Sequence, residues 1–255
     1  MTRLIAGLAL ALFPALSRAV PLSEVSKIVG GSDAAPNQFP FQAALLHDDQ
    51  LFCGGVLLNS NTILTAAHCS EKYKESEVWV RLGSNFYHTG GILVGVSKII
   101  ANPDFNMDTI NRDIALWTLI TPVTESDSIK FAILPEQGSD PPVDEVTIVS
   151  GWGSIKAEDI TIPNALQFAD IKIVDRVDCN AKYQGAKMPT VTTDMFCATE
   201  SDRGACKGDS GGPLIIDRTG VLIGLVSWTG GCASEFPAVF TRIGNLIYWI
   251  NQNLS

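Results

Sequence analysis

A chain of 255 residues, 46% of them hydrophobic and 18% charged, is long and apolar enough to bury a core as one large or two small domains. This composition excludes disordered and fibrous proteins. The formal net charge of −9 excludes binding to nucleic acid through its phosphates.

The first 19 residues have the layout of a secretory signal peptide. Arg3 precedes an apolar run from Leu4 to Leu16, and small residues follow at Ser17 and Ala19. The run is too short to span a membrane, and a buried N-terminal helix is disfavoured because the run has no cap and no polar face. We therefore expect residues 1–19 to be removed from a secreted, extracellular protein that has no membrane partner.

Residues 20–27 are short and polar, and they end in Lys27 just before Ile28-Val29-Gly30-Gly31. The Lys27–Ile28 bond has the features of a processing site, so these residues are interpreted as a propeptide. An ordinary linker before a strand is the alternative interpretation.

The chain has six cysteines. In an oxidising compartment they indicate up to three disulfides rather than metal ligands. The sequence has no C-x-x-C pair and no His/Cys cluster with zinc spacing, so neither a metal nor another cofactor is expected.

Short apolar or alternating runs separated by turn residues predict an all-β protein. A connection rich in Pro, Asp and Gly, Pro135 to Asp144, divides the chain into two similar halves, which predicts domains at 28–134 and 135–255. The predicted strands are Phe41–Leu46, Gly55–Leu58, Thr62–Ala66, Val78–Leu82, Ile92–Val96, Val146–Ser150, Leu166–Val174, Pro213–Ile216, Val221–Ser227 and Ala238–Arg242. Apolar residues at helical spacing predict one terminal helix, Gly244 to Asn253.

The stretch Ala205-Cys206-Lys207-Gly208-Asp209-Ser210-Gly211-Gly212-Pro213 places one serine in a glycine-rich turn. Ser210 is the candidate nucleophile, and the amides of Gly208 and Ser210 are candidate donors to an oxyanion. A turn in which these residues only set backbone angles is the alternative. The same residues match the G-x-S-x-G elbow of α/β-hydrolases, but there the histidine follows the serine, whereas every histidine here precedes Ser210.

His68 is the best candidate base because it ends a predicted strand beside Cys69. His47 lies in a predicted hairpin turn and His88 precedes Thr89-Gly90-Gly91, so both are interpreted as solvated turn residues. Asp113 stands at the start of an apolar strand, where a buried carboxylate needs a partner. It could orient His68, although a solvated Asp at a strand end is the alternative.

Six motifs now stand in one order: Ile28-Val29-Gly30-Gly31, Thr65-Ala66-Ala67-His68-Cys69, Asp113-Ile114-Ala115-Leu116, Gly151-Trp152-Gly153, Gly208-Asp209-Ser210-Gly211-Gly212-Pro213 and Ser227-Trp228. With them the chain resembles the chymotrypsin/trypsin family of serine proteases from Ile28 to its C-terminus.

The resemblance implies two six-stranded antiparallel β-barrels with a C-terminal helix, His68 and Asp113 coming from the first and Ser210 from the second. In it His68 takes the Ser210 proton, Asp113 fixes the imidazole with help from Ser227, and Gly208 and Ser210 hold the oxyanion. The implied disulfides are Cys53–Cys69, Cys179–Cys197 and Cys206–Cys232.

The implied specificity pocket departs from that of trypsin-like members. They carry an aspartate six residues before the serine, whereas this chain has Gly204, followed by the apolar Ala205. A pocket without a buried charge cannot compensate the desolvation of a substrate Lys or Arg. Thr229 would narrow the mouth of the pocket, which is the direction of elastase-like members that prefer Ala or Val. An open pocket would instead suit Leu, Met, Phe or Tyr, and this chymotrypsin-like preference is the one we expect. The substrate-binding set is completed by Lys207, Ser227, Trp228 and Ala238.

The resemblance implies an inactive precursor that is cleaved after Lys27, so that the Ile28 amine pairs with Asp209. Its partners would be protein and peptide substrates, an activating trypsin-like protease and protein protease inhibitors, and the enzyme would be a monomer. The alternative from another class is a catalytically silent binding protein, although every triad position is filled.

Overall fold

The computed structural model describes residues 31–154, 162–200, 204–232 and 234–254. The predicted leader, the propeptide and Ile28 lie outside these residues. Among the residues described, no helix is long and apolar enough to cross a bilayer.

The first seven strands are β1 (Ser32–Asp33), which belongs to the second sheet, β2 (Gln42–His47), β3 (Gln50–Asn59), β4 (Thr62–Thr65), β5 (Val78–Leu82), β6 (Ile92–Ala101) and β7 (Ala115–Leu119). The last six of these are antiparallel and close into the first barrel in the order β2-β3-β4-β7-β6-β5. Closure leaves no unpaired strand edge. Its hairpin β2–β3 turns at Asp48 and Asp49, both with positive φ, so the predicted turn after His47 is confirmed.

The second barrel consists of β8 (Val146–Gly151), β9 (Gln167–Val174), β10 (Met195–Thr199), β11 (Pro213–Ile216), β12 (Leu222–Trp228) and β13 (Ala238–Arg242). These six strands also close, because β8 pairs with both β9 and β11. The short β1 adds to it by pairing with β9. The expected fold class, two six-stranded antiparallel barrels with a C-terminal helix, is therefore confirmed.

Alternation along single strands divides side chains between a barrel core and the surface between the barrels. On β2, Ala43 and Leu45 pack inside the first barrel, while Ala44 and Leu46 join the cluster shared with the second. Successive side chains of a strand point to opposite faces, so one strand supplies both layers. The shared cluster contains Leu116 from β7 and Trp152 and Leu225 from the second barrel.

Helix α1 (Arg176–Gly185) was not predicted, and neither was strand β10. The helix begins at Asp175, whose side chain accepts hydrogen bonds from the N–H groups of Val177 and Asp178, as an N-cap does. Only Cys179 and Tyr183 of the helix are buried. The apolar pattern is therefore weak, which explains why periodicity did not reveal the helix.

The terminal helix exists but is shorter than predicted. A 3₁₀ turn, Ile243–Asn245, comes first, and α2 runs from Ile247 to Asn253. Between β7 and β8, residues 120–145 form a connection without a named strand or helix, which includes the predicted boundary stretch. The exact domain boundary after Leu134 stays a prediction.

Candidate active site

The turn that carries Ser210 lies between β10 and β11 and is closed by its own backbone. The N–H of Asp209 donates to the Cys206 carbonyl (3.1 Å), and that of Gly212 donates to the Asp209 carbonyl (2.8 Å). Gly211 has φ +76°, and a Cβ there would lie 2.1 Å from Thr65 Oγ1 of the first barrel. Glycine is therefore required because the turn is both left-handed and pressed against the other barrel.

His68 stands in a 3₁₀ turn, Ala67–Cys69, directly after β4. Its Nδ1 lies 2.7 Å from Asp113 Oδ2, and its ring keeps 23% of its surface exposed. Of the other two candidates, His88 is exposed, and His47 stacks on Tyr73 at the end of β2. His68 is thus the histidine that the structure brings to a buried carboxylate.

Asp113 is 1% exposed and fully engaged. Its Oδ1 accepts the His68 backbone N–H (2.9 Å), and its Oδ2 accepts the Ser227 hydroxyl (2.5 Å) as well as contacting the His68 ring. Thr241 of β13 donates its hydroxyl to the Asp113 carbonyl (2.8 Å). A buried carboxylate is stable only with such partners, and the solvated alternative for Asp113 is wrong.

Asp209 is fully buried beside the serine. Its carboxylate accepts the N–H groups of Gly153 (2.6 Å) and Cys206 (2.9 Å). Burial nevertheless raises the pKa of Asp209 from 3.8 to about 6, because the two hydrogen bonds do not offset the loss of water. A further cationic partner would therefore be favourable at this position.

The Gly151-Trp152-Gly153 motif surrounds the Asp209 carboxylate. A Cβ on Gly151 would lie 2.1 Å from Asp209 Oδ1, and one on Gly153 would lie 2.2 Å from Oδ2. Real Cβ atoms do not approach oxygen this closely. Both glycines are therefore needed for close approach to a carboxylate, a role that sequence reasoning missed although the motif was visible.

We expect Gly153→Ala to lower the free energy of unfolding by about 2 to 3 kcal/mol, because the added methyl group must displace the buried Asp209 side chain. Urea denaturation compares it with Gly185→Ala, where an added Cβ meets no described neighbour within 4 Å. Equal midpoints for the two variants would contradict the close packing of Gly153 against Asp209.

Beside Ser210 lies a pocket of about 390 Å³. The only ionisable side chain among its described lining residues is Lys207, which is exposed. Thr229 Oγ1 donates to the Gly231 carbonyl (2.7 Å), so this hydroxyl is held within its own loop. The lining residues are Ala205, Cys206, Lys207, Ser210, Val226, Ser227, Trp228, Thr229, Gly230, Gly231, Cys232 and Ala238.

Gly204, expected at the pocket floor, is not among those lining residues. It is buried with φ +155°, and a Cβ there would meet no described heavy atom within 4 Å. No described side chain therefore fills the space beside this backbone, and glycine itself presents no charge there. The other expected substrate-binding residues do line the pocket.

The unpredicted helix α1 supports the pocket through Tyr183. The Tyr183 hydroxyl donates to the Pro237 carbonyl (2.6 Å) and accepts the Gly230 N–H (3.1 Å). Its ring packs edge-on against Trp228 at 4.6 Å, and burial raises the pKa of the hydroxyl. Two segments of the pocket wall are thereby held by one side chain that sequence reasoning did not select.

Three disulfides are present, and they join the pairs that the resemblance implies: Cys53–Cys69, Cys179–Cys197 and Cys206–Cys232. The first lies beside His68, the second ties α1 to β10, and the third crosses the pocket wall. Among the described residues, one group has metal-ligating atoms close together, namely Cys53, His68 and Cys69, but its two sulfurs are bonded to each other.

Comparison with known proteins agrees with this geometry. The family model described as Trypsin matches residues 28–250. Trypsin Blo t 3 of Blomia tropicalis is 41% identical over 231 residues, which cover 88% of this chain and 84% of that protein. The vitellin-degrading protease of Bombyx mori is 34% identical over 238 residues, covering 92% and 88% of the two chains.

A solved structure gives the same result for the fold. Neuropsin, a serine protease expressed in the limbic system of mouse brain, superimposes with a TM-score of 0.81 and is 33% identical. The match covers 88% of this chain and 99% of the neuropsin chain. The chain described here therefore belongs to the trypsin family and is a serine endopeptidase.

Proposed function

We propose that this protease cleaves peptide bonds with Ser210 as nucleophile, His68 as general base and Asp113 as the group that orients His68. The observation that carries the proposal is the 2.7 Å contact between His68 Nδ1 and the buried Asp113 carboxylate. A proton held on Nδ1 by that carboxylate leaves Nε2 as an acceptor for the serine proton.

In the proposed reaction, Ser210 Oγ attacks the substrate carbonyl carbon while its proton passes to His68 Nε2. The C–N bond then breaks, His68 returns the proton to the leaving amine, and an acyl-enzyme remains. Water then attacks the acyl carbon while its proton passes to His68. The bond to Ser210 Oγ breaks, His68 returns the proton to Ser210 Oγ, and the acid is released. The Asp113 carboxylate stabilises the imidazolium in both halves of the reaction.

The N–H groups of Gly208 and Ser210 are proposed to hold the oxyanion. Within the turn, backbone hydrogen bonds are donated by Asp209, Gly211 and Gly212, whereas neither Gly208 nor Ser210 donates one to another described backbone group. Two adjacent donors directed at developing negative charge are the arrangement that lowers such a barrier. The backbone of residues 227–229 would receive the substrate as an added antiparallel strand.

We infer a preference for uncharged apolar residues before the scissile bond, of the chymotrypsin-like kind: Leu, Met, Phe or Tyr. The support is a pocket of about 390 Å³ with no carboxylate among its described lining residues. A substrate Lys or Arg would lose its hydration there without gaining a partner. A pocket narrowed by Thr229 would instead favour Ala or Val, as in elastase-like members.

A positional-scanning peptide library tests this preference with the activated enzyme. We expect Leu, Met, Phe or Tyr before the cleaved bond to exceed Lys and Arg in kcat/KM by roughly 100-fold, since about 3 kcal/mol of uncompensated desolvation corresponds to that ratio. Thr229→Gly should let the enzyme accept larger side chains before the cleaved bond. A dominant preference for Lys or Arg would overturn the pocket assignment.

The protein is further proposed to be a secreted monomer that is synthesised as a zymogen and is subject to protein protease inhibitors. Cleavage after Lys27 would free the Ile28 amine to pair with Asp209 and so order the oxyanion turn. Burial raises the pKa of this carboxyl to about 6, so an amine partner would relieve an unfavourable buried charge. None of the described residues that line the pocket offers a carboxylate to a lysine, so a separate trypsin-like protease would perform the cleavage.

A further inference from the structure

Asp113 follows a loop whose backbone is held in an unfavourable conformation. Arg112 has φ +52° and Ile110 has φ +53°, a region that non-glycine residues enter rarely and β-branched residues more rarely still. Such conformations persist only where the surrounding contacts hold them in place. In this loop, contacts of that kind are made by Asn111 and Arg112.

Asn111 and Arg112 belong to the first barrel and form hydrogen bonds with residues of the second. Arg112 Nε donates to Asp194 Oδ2 (3.0 Å), and another guanidinium nitrogen bonds to Asp104 in the loop of its own barrel. Thr192 Oγ1 donates to Asn111 Oδ1 (2.5 Å). The two residues before Asp113 are thus attached to the segment that leads into β10.

Asp194, which pairs with Arg112, is itself held in place by the second barrel. Its side chain is only 16% exposed, and its Oδ1 accepts the side-chain amide of Asn245 (3.1 Å). Its backbone carbonyl accepts the Arg242 N–H (2.8 Å). Arg112 keeps 40% of its side chain exposed, so the ion pair by itself adds little to overall stability.

We propose that Arg112 is a positioning residue that acts through Asp113, an inference that rests on the proposed role of Asp113 as the partner of His68. The Ile114 N–H donates to the Arg112 carbonyl (2.8 Å), which places Asp113 at the centre of a three-residue turn. Movement of Arg112 is therefore transmitted directly to the Asp113 backbone. The Arg112–Asp194 pair thereby fixes the position of the Asp113 carboxylate relative to the second barrel. That barrel carries Ser210 and Ser227.

The test compares Arg112→Ala, Arg112→Lys, Asp194→Asn and the double variant Arg112→Ala/Asp194→Asn, all activated and with kcat normalised to the sites titrated by an organophosphonate. We expect Arg112→Ala to lower kcat roughly ten-fold, because small misplacements of catalytic groups cost one to two powers of ten. KM should stay within about two-fold, since Arg112 does not line the pocket. Arg112→Lys should recover part of kcat, and Asp194→Asn should add little to Arg112→Ala.

Arg218→Ala is the matched control, because it removes another exposed Arg–carboxylate pair, with Glu145, that makes no contact with the Asp113 loop. It should leave kcat unchanged. Wild-type kcat in Arg112→Ala, an equal loss in Arg218→Ala, or fully additive losses for Arg112 and Asp194 would overturn the inference. Ser210→Ala, assayed beside them, separates the two hypotheses: if it retains turnover the proposed function fails, and if it is inactive only the positioning role is in question.

Discussion

Replacing Ser210 with alanine is expected to abolish peptide hydrolysis while leaving the fold intact. The hydroxyl oxygen is the only heavy atom lost, and the turn is closed by backbone hydrogen bonds that alanine keeps. Removal of the nucleophile closes the acyl-enzyme route, so we expect a loss in kcat on the order of a million-fold, as in other hydrolases with this triad. The measurement is kcat on a good apolar substrate, together with the urea midpoint.

A phosphonate label provides the control for that experiment. The activated wild-type enzyme should be modified stoichiometrically at Ser210, and Ser210→Ala should not be modified at all. Residual hydrolysis by Ser210→Ala in a preparation free of other proteases would remove Ser210 from its assigned role. Absence of labelling in the wild type would favour a binding protein without catalysis.

The precursor is expected to stay intact and inactive on its own, and to become active after a trace of trypsin cuts the Lys27–Ile28 bond. Ordering the oxyanion donors is worth roughly 100- to 1,000-fold in rate, so a rise of that size is expected on cleavage. The precursor does not cleave itself because Lys27 would have to enter the specificity pocket, where no described lining residue offers it a carboxylate. Peptide hydrolysis and the N-terminal sequence are measured over the same period in the precursor alone and in the precursor with a trace of trypsin.

Two variants sharpen this experiment. Lys27→Gln should block activation by trypsin, since trypsin requires a cation at the cleaved position. Asp209→Asn should be cleaved by trypsin yet stay poorly active, because the freed amine would then lack its ionic partner. Rapid appearance of an Ile28 N-terminus in the untreated precursor would refute the need for a separate protease.

Much of the architecture was predictable because apolar and polar residues alternate along a strand whose one face is buried. The strands Val78–Leu82, Pro213–Ile216 and Ala238–Arg242 have the predicted bounds. The site residues could be selected because Ser210, His68 and Asp113 each stand in a short local pattern that suits a nucleophile, a base or a buried acid. The structure brings His68, Asp113 and Ser227 together, whereas their catalytic roles stay predictions.

Other features could not be read from the sequence, because they depend on contacts between distant segments. Helix α1 buries only two side chains, so its pattern resembled a polar loop. The need for Gly151 and Gly153 arises from a carboxylate more than fifty residues away, at Asp209. The anchoring of Arg112 by Asp194 likewise joins residues of different barrels.

The packing of Ser210's turn against the first barrel limits how the two halves of this enzyme could be exchanged with those of a relative. The Gly54 N–H of β3 donates to the Ser210 carbonyl (2.7 Å), and Gly211 leaves no space toward Thr65. Gly54 follows Cys53, whose disulfide leads to Cys69 beside His68. A chimera that joins one barrel to a foreign partner must therefore match this small contact patch as well as the large apolar surface. Two barrels that fit together only through the apolar surface would still hold Ser210 and His68 in the wrong relative position.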